Sequence, residues 1–432
     1  MSIYDYQQAF GAWDKTSRAM RQAVGEWFDL YYGTDQPGDP CQRVAYSVVS
    51  KLVKTVFGEY RAQAKDPVVQ GIVDGLGKKR KEAMQLALVG GECYLKPCPG
   101  ENGFGFTLIP RNNVLVFGRD IHGVPTDVGC VERSVQENFY YTLLERRTVD
   151  AQGYLTIENR LYRSLSSETL GAQVALSAHP EYEALASQYR YGVPVGSVGL
   201  VRLKTPMVNC VDGSADGVAV YAPAVGVIRA IDENEAQLAG EFRRGESRII
   251  TSADILGKDK SFSEHLFVGL DEDVSEVGIT VFSPALREQS YLARKQEYLR
   301  NVESIIGLKR GMLSDSNVED RTATEIASSA GDYNLTVIDF QQMWEQALAQ
   351  AIELCGILAR LYKLAEPTDT TVSIDWGNGV LYDEDKVWEQ YVQMVNAGLI
   401  KPEIALGWRF NMPTETPADL AKIREKFMPS TP

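Results

Sequence analysis

The sequence predicts an α+β protein, and three patterns predict it. The first ninety residues carry apolar side chains at helical spacing. Short β-prone runs separated by Gly, Asn and Pro fill the stretch from Cys93 to Tyr162. Beyond residue 220, two helical patterns of roughly twenty residues bracket a small β-like segment.

In chain order, Met20, Val24, Trp27, Phe28 and Tyr31 define a first helix that Gly33 stops. Pro40 suits a first helical position ahead of Val44, Val48, Leu52, Val56 and Tyr60. Asp66-Pro67 opens a third helix that runs to Gly90-Gly91. Runs such as Thr107-Leu108-Ile109, Val114-Leu115-Val116 and Tyr140 to Leu144 then predict a meandering antiparallel sheet, packed with the early helices into one body. A Gly-rich hinge follows at Asp212 to Gly217. Pro223 begins a helix whose apolar side is Ala224, Ile228, Ile231, Leu238 and Phe242. Residues 246–282 are β-like, and Ser283-Pro284 caps a helix with Leu292, Leu299, Val302 and Ile306 on its stripe. Each of these two helices would be about 30 Å long, a stalk carrying a small head. A turn-rich stretch, Gly311 to Glu319, and a short helix near Thr322 lead to the clearest helix of all. From Val337 through Phe340, Trp344, Leu348, Leu354 and Leu358 it keeps its spacing for roughly 28 residues, to a stop at Pro367. Val372 to Trp376 reads as a strand, and Asp383 to Phe427 as a compact helical tail.

Composition narrows the function. The 432 residues hold 44 Lys+Arg against 58 Asp+Glu, a net charge of −14, with 44% hydrophobic residues. That apolar content can offset the ordering entropy, so disorder is excluded. No apolar run reaches about 18 residues, so no membrane span is expected. The N-terminus shows no secretory pattern. Cys41, Cys93, Cys98, Cys130, Cys210 and Cys355 are scattered, as reduced cytosolic thiols would be. A net −14 argues against tight DNA binding by the surface as a whole, but does not exclude a protein that lets DNA pass without sticking.

Catalytic patterns are missing. His122, His179 and His265 sit in loop-like contexts without metal spacing, and no G-x-S-x-G, Walker A or G-x-G-x-x-G string occurs. Gly103-Phe104-Gly105 suits a hairpin turn. Gly90-Gly91-Glu92-Cys93 is the most cysteine-protease-like string, but nothing local supplies a base, and a helix C-cap leading into a strand accounts for it. Asp271-Glu272-Asp273 lacks the spaced ligands of a calcium loop and reads as a solvated acidic turn. Thr322-Ala323-Thr324-Glu325 is a capping box, which explains Thr322 and Glu325 without any catalytic role. No cofactor or metal is called for.

Several strings, in their order and spacing, resemble the portal proteins of tailed bacteriophages, of the type found in long-tailed phages of Gram-positive hosts. They are Ala87 to Lys96, Leu144 to Arg147 with Gly153 to Ile157, Lys204 to Asn209, Ile231-Asp232-Glu233, Arg321 to Ile326, Asp385 to Val395, and Ala397 to Ile400. The resemblance spans nearly the whole chain. It implies a wing at 1–220 and 307–382, stem helices at 221–244 and 284–306, and a clip at 245–283. It further implies a tunnel loop near 329–336, a long kinked channel helix at 337–364, and a short crown-like tail at 383–432.

The functional expectations follow from that resemblance. The chain would form a ring, dodecameric in the family, at one capsid vertex in the virion, after assembly in the host cytoplasm. It would be the channel for double-stranded DNA packaging and ejection, and would not be an enzyme. Its partners would be further copies of itself, the terminase large subunit, the head–tail adaptor, and the major capsid and scaffolding proteins, with no membrane. Asp332, Tyr333 and Asn334 would face DNA in the tunnel loop. Asp254, Asp259, Asp271, Glu272 and Asp273 would lie on the clip face toward terminase or adaptor. Between Ser252 and Gly278 seven acids stand against two lysines, which either repels passing phosphate or keeps an exposed head soluble. An infectious phage, a prophage and a gene-transfer particle would all use such a protein. The alternatives are a cytosolic hydrolase using Cys93, tested by Cys93→Ser, and another virion component such as an adaptor.

Overall fold

A computed structural model describes residues 3–33, 39–100, 103–245, 248–252, 267–270, 280–282, 285–315, 323–377, 384–410, 412–414 and 416–428. The chain divides into two units, Met1–Val53 with Ala64–Thr371, and Lys54–Gln63 with Val372–Pro432.

In the first unit, α1 (Ile3–Phe10) precedes α2 (Arg18–Tyr32). The Ser17 hydroxyl accepts from the Met20 amide at 3.1 Å and caps α2, which buries the five apolar residues its spacing marks. Helix α3 (Val44–Val56) starts four residues later than Pro40 suggests. The Cys41 amide turns to the Asp39 carboxylate, and Arg43 adopts a φ of 51°, so no helix can run through them. Helix α4 (Pro67–Gly90) begins at Asp66, whose carboxylate accepts from the amides of Val68 and Val69. It ends at Gly91, which is left-handed at φ 78°. Gly91 must be glycine for a second reason: a Cβ there would lie 2.3 Å from the backbone of Gly217.

Strand β1 (Arg61–Ala64) precedes α4, and β2 (Glu92–Gly100) and β3 (Gly103–Pro110) follow it as a hairpin. Then come β4 (Val114–Arg119), β5 (Pro125–Gln136), β6 (Phe139–Val149), β7 (Tyr154–Ser164), β8 (Ala172–Val174), β9 (Gln188–Pro194) and β10 (Val201–Lys204). They make a three-stranded sheet, β10-β2-β3, and a six-stranded one, β4-β5-β6-β7-β8 with β9 also on β7, all antiparallel. The predicted meander is thus β4 to β7. Tyr94 and Ile109 of the smaller sheet pack with Val116, Val128 and Cys130 of the larger. Tyr6 and Phe10 of α1 cover Leu115, Phe117, Val131 and Leu144.

Helix α5 (Val225–Arg244), strands β11 (Arg248–Ser252), β12 (Phe267–Leu270) and β13 (Thr280–Phe282), and helix α6 (Glu288–Ile306) follow. The three strands form one sheet with β11 central, parallel to β12 and antiparallel to β13. Helix α7 (Ala323–Tyr362) is a single element of 40 residues, about 60 Å long. It buries Val337, Phe340, Trp344, Leu348, Leu354 and Leu358.

The second unit pairs β1 with β14 (Val372–Asp375) and adds α8 (Glu384–Asn396), α9 (Pro402–Arg409) and α10 (Pro417–Phe427). Aromatic pairs hold it: Tyr60 on Trp376 at 4.7 Å between centroids, Tyr391 on Trp408 at 5.0 Å, and Phe410 on Phe427 at 4.3 Å. Among the described residues no helix is long and apolar enough to cross a membrane.

Candidate stem, clip and channel elements

The approach to α5 is held by buried charge. Glu92 has no exposed surface, and its carboxylate accepts from the Tyr94 hydroxyl at 2.6 Å, the Gly217 amide at 2.7 Å and the Arg202 guanidinium at 2.5 and 3.2 Å. Burial alone would raise its pKa. Arg202 and then Arg111 outweigh that and hold it down at about 2. Next to it Asp216, also buried, pairs with Arg111 at 3.2 Å and Arg119 at 2.5 Å. Asn209 and Ser17 fasten Asp212. The Gly-rich segment 212–217, expected as a hinge, is therefore pinned by the side chains of Ser17, Glu92, Arg111, Arg119 and Asn209.

Helices α5 and α6 pack along Ile228, Ile231 and Leu238 on one and Leu299, Val302 and Ile306 on the other. Asn234, buried between them, donates to the Tyr291 carbonyl at 3.1 Å. Glu241 accepts both guanidinium nitrogens of Arg287, at 3.0 and 2.8 Å. Lys295 reaches Glu235 and the Gln42 side chain, while the Gln42 amide donates to Asp232 at 2.7 Å. Burial raises the pKa of Asp232, that amide opposes the rise, and the Asp39 charge adds to it. The stripes read from the sequence continue to Phe242 and Leu292, but both are exposed, at 45% each. Within one chain the apolar seam stops at Leu238.

At the far end of α6, Glu303 is buried. It accepts from the amides of Gly311 at 3.1 Å, Leu313 at 2.5 Å and Ser314 at 2.9 Å, and from the Ser314 hydroxyl at 2.8 Å. The Lys51 ammonium donates to the Met312 carbonyl of the same turn, and Asp315 donates its amide to Gln296 of α6. This turn carries the chain from α6 toward α7.

The residues singled out from the sequence fare unevenly. The segment 329–336 is not a loop: it lies inside α7, so Asp332, Tyr333 and Asn334 are helical. Ser328, Ser329 and Gly331 look like breakers, but no proline is among them, and one helical glycine costs only about 1 kcal/mol. Tyr333 is moreover buried in its own chain, so its ring does not line an open surface. Asp254, Asp259, Asp271, Glu272 and Asp273 lie outside the described residues. So does Thr322, the capping partner expected for Glu325, which itself sits in the first turn of α7. Cys93 is buried in β2, and burial, with the Glu82 charge, pushes its thiol up to about 12. A thiol so held is not a nucleophile, which removes the basis of the hydrolase reading. Glu92, Asp216 and Glu303 escaped the sequence reading, since an acid beside a glycine or on a helix looks like any surface acid until its partners are placed.

Comparison with curated protein sequences finds no match. The family model for the phage portal protein, SPP1 Gp6-like, matches residues 133–426, from β5 to α10. That span holds the helix pair, the small sheet between them and the long helix, and it covers well over half of the chain. The chain belongs to the SPP1 Gp6-like family of phage portal proteins.

Proposed function

We propose that this chain assembles with identical copies into a ring, dodecameric as in the resemblance above, at one vertex of a phage capsid. Duplex DNA passes through the ring during packaging and ejection. The observation that carries this reading is the family match over residues 133–426. Two features favour it. Phe242 and Leu292 prolong the apolar stripes of α5 and α6 but stay exposed in one chain, where a neighbouring copy would cover them. The small sheet β11–β13 divides the two helices, as a clip divides a stem. In this reading residues 245–283 dock the terminase large subunit and later the head–tail adaptor. Asp254, Asp259, Asp271, Glu272 and Asp273 face those partners, and the surplus of acid repels phosphate in transit. Around Asp332 and Asn334 the first half of α7, rather than a loop, approaches the DNA. The body contacts capsid and scaffolding proteins, and residues 383–432 form the crown. Energy for transport comes from ATP hydrolysis in the terminase, and the ring is a structural part of the virion assembled in the host cytoplasm. Negative-stain electron microscopy with light scattering tests this. Rings with a central hole, near twelve times 47.9 kDa, are expected. A closed two-fold dimer would overturn it.

A further inference from the structure

The chain is acidic overall, yet Lys78-Lys79-Arg80-Lys81 puts four cations in succession on α4. At 3.6 residues per turn they do not all point one way. Arg80 turns back along the helix, its guanidinium donating to the Gly77 carbonyl at 2.8 Å. Lys79 pairs with Glu82 at 3.1 Å, and Asp74 accepts from Gln70 at 2.8 Å. Glu82 is thereby paired, while Asp74, held by a neutral amide, keeps its charge, so four cations stand against two carboxylates and this stretch of α4 is net +2. Lys78 and Lys81, three residues apart on the exposed face, have no hydrogen bond or ion pair among the described residues. We infer that this face of α4 contacts the phosphate backbone of duplex DNA, without reading its sequence.

The inference rests on the proposal that DNA passes this protein, and the chemistry of the face narrows the partner. Two ammonium groups on flexible stems, with Cβ atoms about 5–6 Å apart, can follow a line of phosphates. Lacking the bidentate fork of arginine, they do not discriminate bases. A protein partner would need an apolar centre to desolvate, and α4 exposes no large apolar side chain. A phosphate contact needs none and stays wet. A local positive face on an acidic whole also fits such a contact, because it offers phosphate an attractive surface that the net charge of −14 does not. Repetition around a ring would multiply weak contacts by their effective concentration.

The test uses the full-length protein and a fluorescent 30-base-pair duplex of arbitrary sequence, with binding followed by anisotropy from 50 to 200 mM salt. Lys78→Glu/Lys81→Glu should lower affinity at 50 mM salt roughly tenfold or more, and should flatten the slope of log K against log salt by about 2 per bound protomer. The charge-matched control Lys401→Glu/Lys422→Glu, on exposed residues of the second unit, should bind as the parent does. Equal loss in the control would reduce the effect to net charge and overturn the inference. So would unchanged binding by the α4 variant. Failure of that variant to co-assemble with capsid or scaffolding protein, while DNA binding persists, would assign the face to a protein instead. Electron microscopy of the same samples reports ring formation separately, so loss of the ring reading and loss of the α4 contact are told apart.

Discussion

A carboxylate without solvent survives in a folded chain only when its charge is answered, and Glu92 is answered by Arg202, Tyr94 and the Gly217 amide. Removing Arg202 takes away the largest of the charges that answer it and leaves only the weaker pull of Arg111, which costs up to about 3–5 kcal/mol. The pH dependence has a definite sign. The folded pKa of Glu92, about 2, lies below its ordinary value of 4.5. Its contribution is therefore fully present above pH 4.5 and is lost as pH falls toward 2. The stability gap between parent and Arg202→Met should be widest at pH 7 and should narrow between pH 5 and pH 2, in urea unfolding followed by circular dichroism. A gap that stays constant over that range would mean that Arg202 acts by packing alone. Of this site, the sequence revealed the helix stop at Gly91, because a glycine ending an apolar period has a local cause. Apart from Tyr94, two residues on, the partners of Glu92 lie 110 and 125 residues away, beyond the reach of any local pattern.

Among the elements, those with long and regular apolar periods were legible: α2, the buried part of α7, and the α5–sheet–α6 succession. Misread elements had their ends set by tertiary contacts. Pro40 could have opened α3, but the Gln42 amide is drawn to Asp232 on α5. The supposed loop before Val337 is helix, because a few weak formers do not outvote a helix continued from both sides. The turn between α6 and α7 illustrates the same dependence, since Glu303 alone supplies acceptors for three of its backbone amides. Glu303→Ala should destabilise the protein by about 3 kcal/mol, the scale of charged hydrogen bonds lost with their donors left buried. The local readout is sharper than the global one. Hydrogen exchange at Gly311, Leu313 and Ser314 should accelerate in the variant, while amides in the middle of α7 keep their protection. Unchanged exchange at those three amides would show that Lys51 and the backbone hold the turn without Glu303.

At the level of the whole molecule, charge and apolar surface act in opposite directions on assembly. Each copy carries −14, so bringing copies together raises an unfavourable field that grows with their number. Against it stands apolar surface left uncovered in one chain, such as Phe242 and Leu292. The repulsion is screened by salt, because the Debye length shrinks from about 30 Å at 0.01 M to about 8 Å at 0.15 M. Burial of apolar groups needs no such screening. Raising sodium chloride from 10 to 500 mM should therefore convert small species into rings, with the scattering mass rising toward the assembled value. Rings that fall apart on the same titration would mean that ion pairs between copies, not apolar contact, hold them. Phe242→Glu/Leu292→Glu separates the two contributions. It adds charge where the apolar seam should be, and so should prevent rings at every salt concentration while leaving the chain folded. Its stability should be near that of the parent, because both side chains are already in water when the chain is alone. If the variant assembles like the parent, the contact between copies lies elsewhere on the chain, and the exposed ends of the α5 and α6 stripes face solvent in the ring as well.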